Sequence, residues 1–176
     1  EVTGEARYLT GALDAGAFLE RELRLDEPGY RYRPEVVYHS TEQNLDCYVA
    51  LARLFAATQN PWWWERALWA KERVRANWVA IRGSEGYFHA GTGREPVGDT
   101  NPWVLLALGA LEPYGGTLAW QEARLWRTDP GTSGRVLPWG PSGVPFEGFA
   151  YHAGGGEGVW FEGTGHMAVA YQMVGD

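Results

Sequence analysis

Carboxylates at the starts of helices are the main chemistry this chain can offer. Glu42 lies in Ser40-Thr-Glu-Gln-Asn-Leu-Asp46, Asp99 in Asp99-Thr-Asn-Pro102, and Glu162 in Glu162-Gly-Thr-Gly-His166; each stretch leads into an apolar segment. Glu42 and Asp99 are 57 residues apart, and Asp99 and Glu162 are 63 apart. A period near 60 fits two helices with their connections, so each acid would open the inner helix of a hairpin. Two carboxyl groups roughly 6.5–9.5 Å apart can hydrolyse a glycosidic bond, one protonating the leaving oxygen while the other activates water. Neighbouring helices pack about 8–10 Å axis to axis, which matches that spacing. Glu162 is the expected proton donor, because Trp160 and Phe161 precede it and an apolar surrounding raises a carboxyl pKa. Asp99 or Glu42 would be the base. Asp46 follows Glu42 by four residues and shares its helical face. The same acids also have a purely structural use, since a carboxylate in a first helical turn stabilises the helix dipole by about 0.3–1 kcal/mol.

The remaining polar candidates are histidines. His39 precedes the first motif, and His166 comes one turn after Glu162; His89 and His152 sit in glycine-rich stretches. Each suits ordinary hydrogen-bonded packing. Tyr38, Trp103 and Trp160 are the aromatic faces expected beside the acids. No His-Glu-x-x-His spacing occurs, so no zinc site is expected. A calcium ion held by Asp129, Glu147 and Glu157 stays open. There is no Gly-x-Ser-x-Gly elbow, and neither Gly91-Thr-Gly93 nor Gly154-Gly-Gly156 has the setting of a phosphate loop. No cofactor is expected. Gly163-Thr-Gly165 would let the chain turn tightly or let a ligand approach the backbone.

Composition limits the partners. The 176 residues are 45% hydrophobic and 21% charged, enough for one globular domain over 1–176. The net charge is −7 and the isoelectric point about 5.1. A nucleic-acid binder would carry a basic face, but the longest basic cluster, Lys71-Glu-Arg-Val-Arg75, is offset by Glu65 and Glu72. No apolar run is long enough to span a membrane. The chain begins at Glu1 without Met, which reads as processing or as a piece of something longer. Cys47, the sole cysteine, falls among apolar helical residues and is expected to pack in the core. The ten Trp and nine Tyr fill gaps between helices or line a cleft.

Periodicity predicts an all-α fold of about six helices. These run over 4–24, from the Ser40 cap to about Gln59, from Pro61 to about Ile81, from about Pro102 to Leu111, from Thr117 to about Thr128, and from about Glu162 onward. A two-stranded excursion is expected around Tyr87-Phe-His89, and Val36-Val-Tyr38 reads as a short strand or an extended lead-in. The Gly- and Pro-rich stretch 129–158 reads as a functional loop or lid. Three hairpins in a row make an incomplete (α/α) toroid, about half a closed ring. Its exposed apolar edges would need a second subunit or the missing half of the ring.

At Tyr38-His-Ser-Thr-Glu-Gln-Asn-Leu-Asp46 and at Val159-Trp-Phe-Glu-Gly-Thr-Gly-His-Met-Ala-Val-Ala-Tyr171 the chain resembles bacterial proteins of the (α/α)6-toroid superfamily. Glycoside hydrolases, polysaccharide lyases and sugar epimerases share that architecture, and the likeness covers most of residues 36–176. It implies a carbohydrate partner and a glycoside hydrolase-like activity. The epimerases of this architecture transfer protons through histidines, which would fall to His39 and His166 here. The alternative is a non-catalytic helical module that assembles through its ring edges. A terpene cyclase-like enzyme is a lesser option, because no Asp-x-Asp-Asp run occurs.

Overall fold

The structure is a computed structural model and describes residues 4–82, 85–109, 114–129, 145–154 and 158–175. The chain divides into two compact units: Glu1–Trp78 with Ala90–Gly93, and Val79–His89 with Arg94–Asp176.

In the first unit, α1 (Ala6–Phe18) continues into a π-helical turn over Leu19–Leu23. Helix α2 (Thr41–Thr58) begins where expected, with the Gln43 N–H donating to Ser40 Oγ at 3.3 Å. It stops at Gln59, which takes the left-handed conformation at φ 56°. Helix α3 (Pro61–Ala76) follows at once. Asn60 caps it by accepting from the Trp62 N–H at 3.1 Å, and Pro61 occupies the first turn, where its missing N–H costs nothing. Helices α2 and α3 therefore form a tight hairpin. Its core is Tyr30, Cys47, Leu51, Leu54, Trp63, Ala67 and Ala70. Burial pushes the Cys47 thiol up to about 12, so it stays protonated and packs as an apolar group.

In the second unit, β1 (Trp78–Arg82) pairs with β2 (Glu85–Phe88). Helix α4 (Thr100–Leu108) ends at Gly109, where φ is 85°. Helix α5 (Thr117–Leu125) leads straight into β3 (Trp126–Asp129), which pairs antiparallel with β4 (Phe146–Phe149), Trp126 opposite Phe149 and Asp129 opposite Phe146. Helix α6 (Phe161–Val174) packs on α4 and closes a core of Leu105, Leu118, Leu125, Phe149, Met167 and Ala170.

The expected all-α half-toroid of three hairpins is overturned. Among the described residues the protein is mostly helical, at 59%, but two small antiparallel two-stranded sheets make it a mixed α/β structure. The helices expected to reach Ile81 and Thr128 stop early. Asn77 ends α3 with its side chain donating to Thr41 Oγ1 at 2.8 Å, and the run Trp78-Val-Ala-Ile81 then suits an extended pleat better than a helix. At Trp126 the chain turns extended and finds a partner strand inside the stretch expected to be a loop. Val36-Val-Tyr38 is not a strand; Arg33 and Val36 form an isolated bridge.

Candidate functional site

The second unit brings five of the expected residues together: Asp99, Trp103, Trp160, Glu162 and His166. Asp99 sits at the N-cap of α4, but its side chain makes no cap bond. It is only 7% exposed, and its Oδ1 has no hydrogen-bond partner among the described residues. Burial raises its carboxyl above the usual carboxylate range; its own backbone N–H and the His166 ring oppose the rise, and nearby Glu162 adds to it. One turn along α4, the Trp103 ring meets the His166 ring edge to face, with centroids 4.8 Å apart. His166 Nδ1 is buried and has no hydrogen-bond partner among the described residues. Glu162 lies in the first turn of α6 with its side chain exposed, so the apolar surrounding expected for it is found at Asp99 instead.

Trp160 explains the local glycines. A Cβ on Gly163 would stand 2.4 Å from Trp160 Cε3, and one on Gly98 would stand 3.2 Å from the same atom and 2.7 Å from the Ala150 carbonyl. The indole is held close to both glycines, and the Tyr151 ring lies 5.0 Å away across it. Gly163 therefore makes room for a packed ring. The site is underpinned by a chain of buried amides that the sequence reading did not single out. Asn101 Oδ1 accepts from the Phe88 N–H at 2.8 Å, and Asn101 Nδ2 donates to Gln121 Oε1 at 2.9 Å; Gln121 Nε2 in turn donates to the Gly98 carbonyl. The helix-start pattern Asp99-Thr-Asn was visible, but the partners of Asn101 lie 13 and 20 residues away, and spacing alone does not reveal them.

The other expected residues belong to the first unit. Glu42 occupies the first turn of α2, half-buried, and Asp46 is exposed one turn later. Tyr38 is half-buried and makes an edge contact with Tyr32 at 6.1 Å. His39 is buried beside Glu27, with Nε2 3.7 Å from Oε1. The shared opening for Glu42, Asp99 and Glu162 is thus not built within one unit. His89 and His152 have local partners: His89 Nδ1 lies 2.6 Å from the Arg94 carbonyl, and His152 bridges to Val97 and meets the Tyr151 ring.

Among the described residues no group of three or more His, Cys, Asp or Glu is arranged to hold a metal ion. Of the three acids considered for calcium, Glu157 lies outside the described residues. No helix among them is long and apolar enough to cross a membrane. No family model, curated protein or solved structure matches the chain.

Proposed function

We propose that this chain is a carbohydrate-active protein, a glycoside hydrolase-like enzyme, whose paired carboxylates are Asp99 and Glu162. One observation carries the reading. A carboxyl buried at a helix start, with an oxygen left without a partner and its pKa raised, stands in the electrostatic neighbourhood of an exposed carboxylate and a histidine. Buried unsatisfied oxygens are rare, and perturbed carboxyls cluster at functional sites. Asp99, whose burial raises it above the usual carboxylate range, is the donor to the leaving oxygen, and Glu162, open to solvent, activates water. Trp103 and Trp160 supply half-buried aromatic faces for a sugar ring. The resemblance of the Val159–Tyr171 motif to carbohydrate-active proteins supports the same class by analogy.

The test is an activity assay across a glycan panel with the parent, Asp99→Asn and Glu162→Gln. A positioned acid or base contributes about 10²–10⁴-fold, so each variant should lose at least 100-fold on whichever glycan the parent cleaves. A parent inert on every glycan, or an Asp99→Asn variant as active as the parent, would sink the proposal.

A second reading has its own support. The first unit carries an open apolar groove of about 1030 Å³ between α1 and α2, lined by Tyr8, Leu9, Ala12, Leu51, Leu54 and Ala57. In the second unit, α6 exposes Phe161, Val169 and Met173. Uncovered apolar faces of this kind suit a helical module that assembles with another subunit.

A further inference from the structure

In the motif Tyr38–Asp46, His39 stands out among residues with clear structural tasks. Ser40 caps α2. Thr41 accepts from Asn77, and its N–H donates to the Ala90 carbonyl at 2.9 Å. Asn44 is fully buried and pins the chain at Tyr30 from both sides: its Oδ1 accepts from the Tyr30 N–H at 2.8 Å, and its Nδ2 donates to the Tyr30 carbonyl at 3.1 Å. His39 is also buried, at 6% exposure, yet neither ring nitrogen has a hydrogen-bond partner among the described residues. A buried imidazole with two unsatisfied nitrogens is costly, and its surroundings indicate a use.

The Glu27 carboxylate stands between two bases. Its Oε2 accepts from Arg73 Nη2 at 2.8 Å, and its Oε1 lies 3.7 Å from His39 Nε2. Arg73, on α3, also donates through Nε to the Pro28 carbonyl at 2.8 Å. Gly29, at φ 113°, lies so close that a Cβ there would be 2.7 Å from Arg73 Cβ. Arg73 therefore clamps residues 27–29 against α3, and Glu27 closes the clamp. The charged groups facing His39 are Glu27, from the segment before Tyr30, and Arg73, from α3. Helix α2 brings Ser40, Thr41 and Asn44, which carry no charge, with Glu42 its nearest acid along the chain. The 90–93 segment meets His39 through its backbone, the Thr92 N–H donating to the His39 carbonyl at 3.2 Å.

We propose that His39 is the sensor of an acid-released latch that holds residues 27–29 on α3. With His39 neutral, one carboxylate serves one cation. When His39 takes a proton, the same carboxylate must serve two cations, one of them shut away from water, and the clamp weakens. Burial, with Arg73 adding to it, already holds the His39 pKa below the ordinary histidine value, and Glu27 only partly offsets this. The sign follows. The closed state binds the proton less tightly than the open state, so closure is favoured above the ordinary histidine value of about 6.5. It is lost progressively as pH falls from there through the depressed value.

Amide hydrogen exchange from pH 8 to 4.5, corrected for the intrinsic rate, reads the latch directly. The N–H groups of Leu25, Tyr30 and Arg31 are bonded across it, to the Gly29 carbonyl, Asn44 Oδ1 and the Leu23 carbonyl. One linked proton makes the opening equilibrium grow by up to about tenfold per pH unit below about 6.5. The amide of Val74, inside α3, should not follow. In His39→Asn the three latch amides should lose this pH dependence. Parent protection that does not change with pH, or the same dependence in the variant, overturns the proposal. If the variant does not fold, an NMR titration of the His39 ring in the parent decides the matter, and a pKa at or above the ordinary value overturns it.

Discussion

Asp99 and His39 are both buried titratable side chains, but they put opposite signs on the pH dependence of stability. For Asp99, the folded state binds a proton more tightly than the unfolded chain, because burial disfavours the charged carboxylate. Its ionisation therefore costs stability, and that cost grows as pH rises through the carboxylate range. Asp99→Asn keeps the shape and removes the charge. It should raise the unfolding midpoint at pH 7, and the gain should vanish below the ordinary carboxylate pKa. Thermal melts of parent and variant between pH 3 and 8 check this, and a variant less stable than the parent at pH 7 would show that the ionised carboxyl is a net support. A site residue whose removal stabilises the fold is what a functional, rather than structural, acid predicts. His39 has the reverse sign, since its neutral form is the favoured one in the folded state.

At the scale of elements, Trp160 packs where α6 begins beside the start of α4. The indole fits only because Gly98 and Gly163 bring no side chain, and because Thr164 ties the start of α6 to β4. Thr164 Oγ1 accepts from the Phe149 N–H at 3.0 Å and donates to the Trp160 carbonyl at 2.8 Å. Gly163→Ala places a methyl against a rigid ring. Helix propensity would gain about 1 kcal/mol, but overpacking costs about 1–3 kcal/mol, so a net loss is expected. Chemical denaturation should place the Gly163→Ala midpoint below the parent's, and Gly165→Ala, where nothing lies within 4 Å of the added Cβ, should be neutral or stabilising. At the other acidic helix start, Ser40→Ala removes the α2 cap and should cost about 1 kcal/mol.

For the whole molecule, the two units each carry an apolar face with no cover among the described residues: the α1–α2 groove in one and the exposed side of α6 in the other. Leu9 is 39% exposed and Val169 51%. Net charge of −7 opposes self-association, so any assembly must be driven by these faces. If the assembling-module reading holds, sedimentation should find species heavier than the 19.6 kDa chain, and Leu9→Glu with Val169→Glu should return it to a monomer. A parent that sediments as a monomer and binds no hydrophobic dye would rule that reading out.

Local rules made much of this chain legible. Ser40 as a cap, Asn60-Pro61 as a fresh helix start, the apolar stripe of α2 and the packing role of Cys47 all depend on residues within a turn or two of one another. Pattern and spacing could also place Asp99, Trp103, Glu162 and His166 at neighbouring helix starts. Other features were decided by contacts distant in sequence. The strands after α3 and α5 exist because partner strands pair with them, and no periodicity within Trp78–Arg82 or Trp126–Asp129 reveals a partner. Asp99 is buried and Glu162 is exposed, because burial depends on what packs over a side chain and not on its neighbours in the chain. Glu42 and Asp99 look alike as helix starts, yet they fall in different compact units. A helix start is set by its own few residues, whereas the company it keeps is set by the packing of the whole chain.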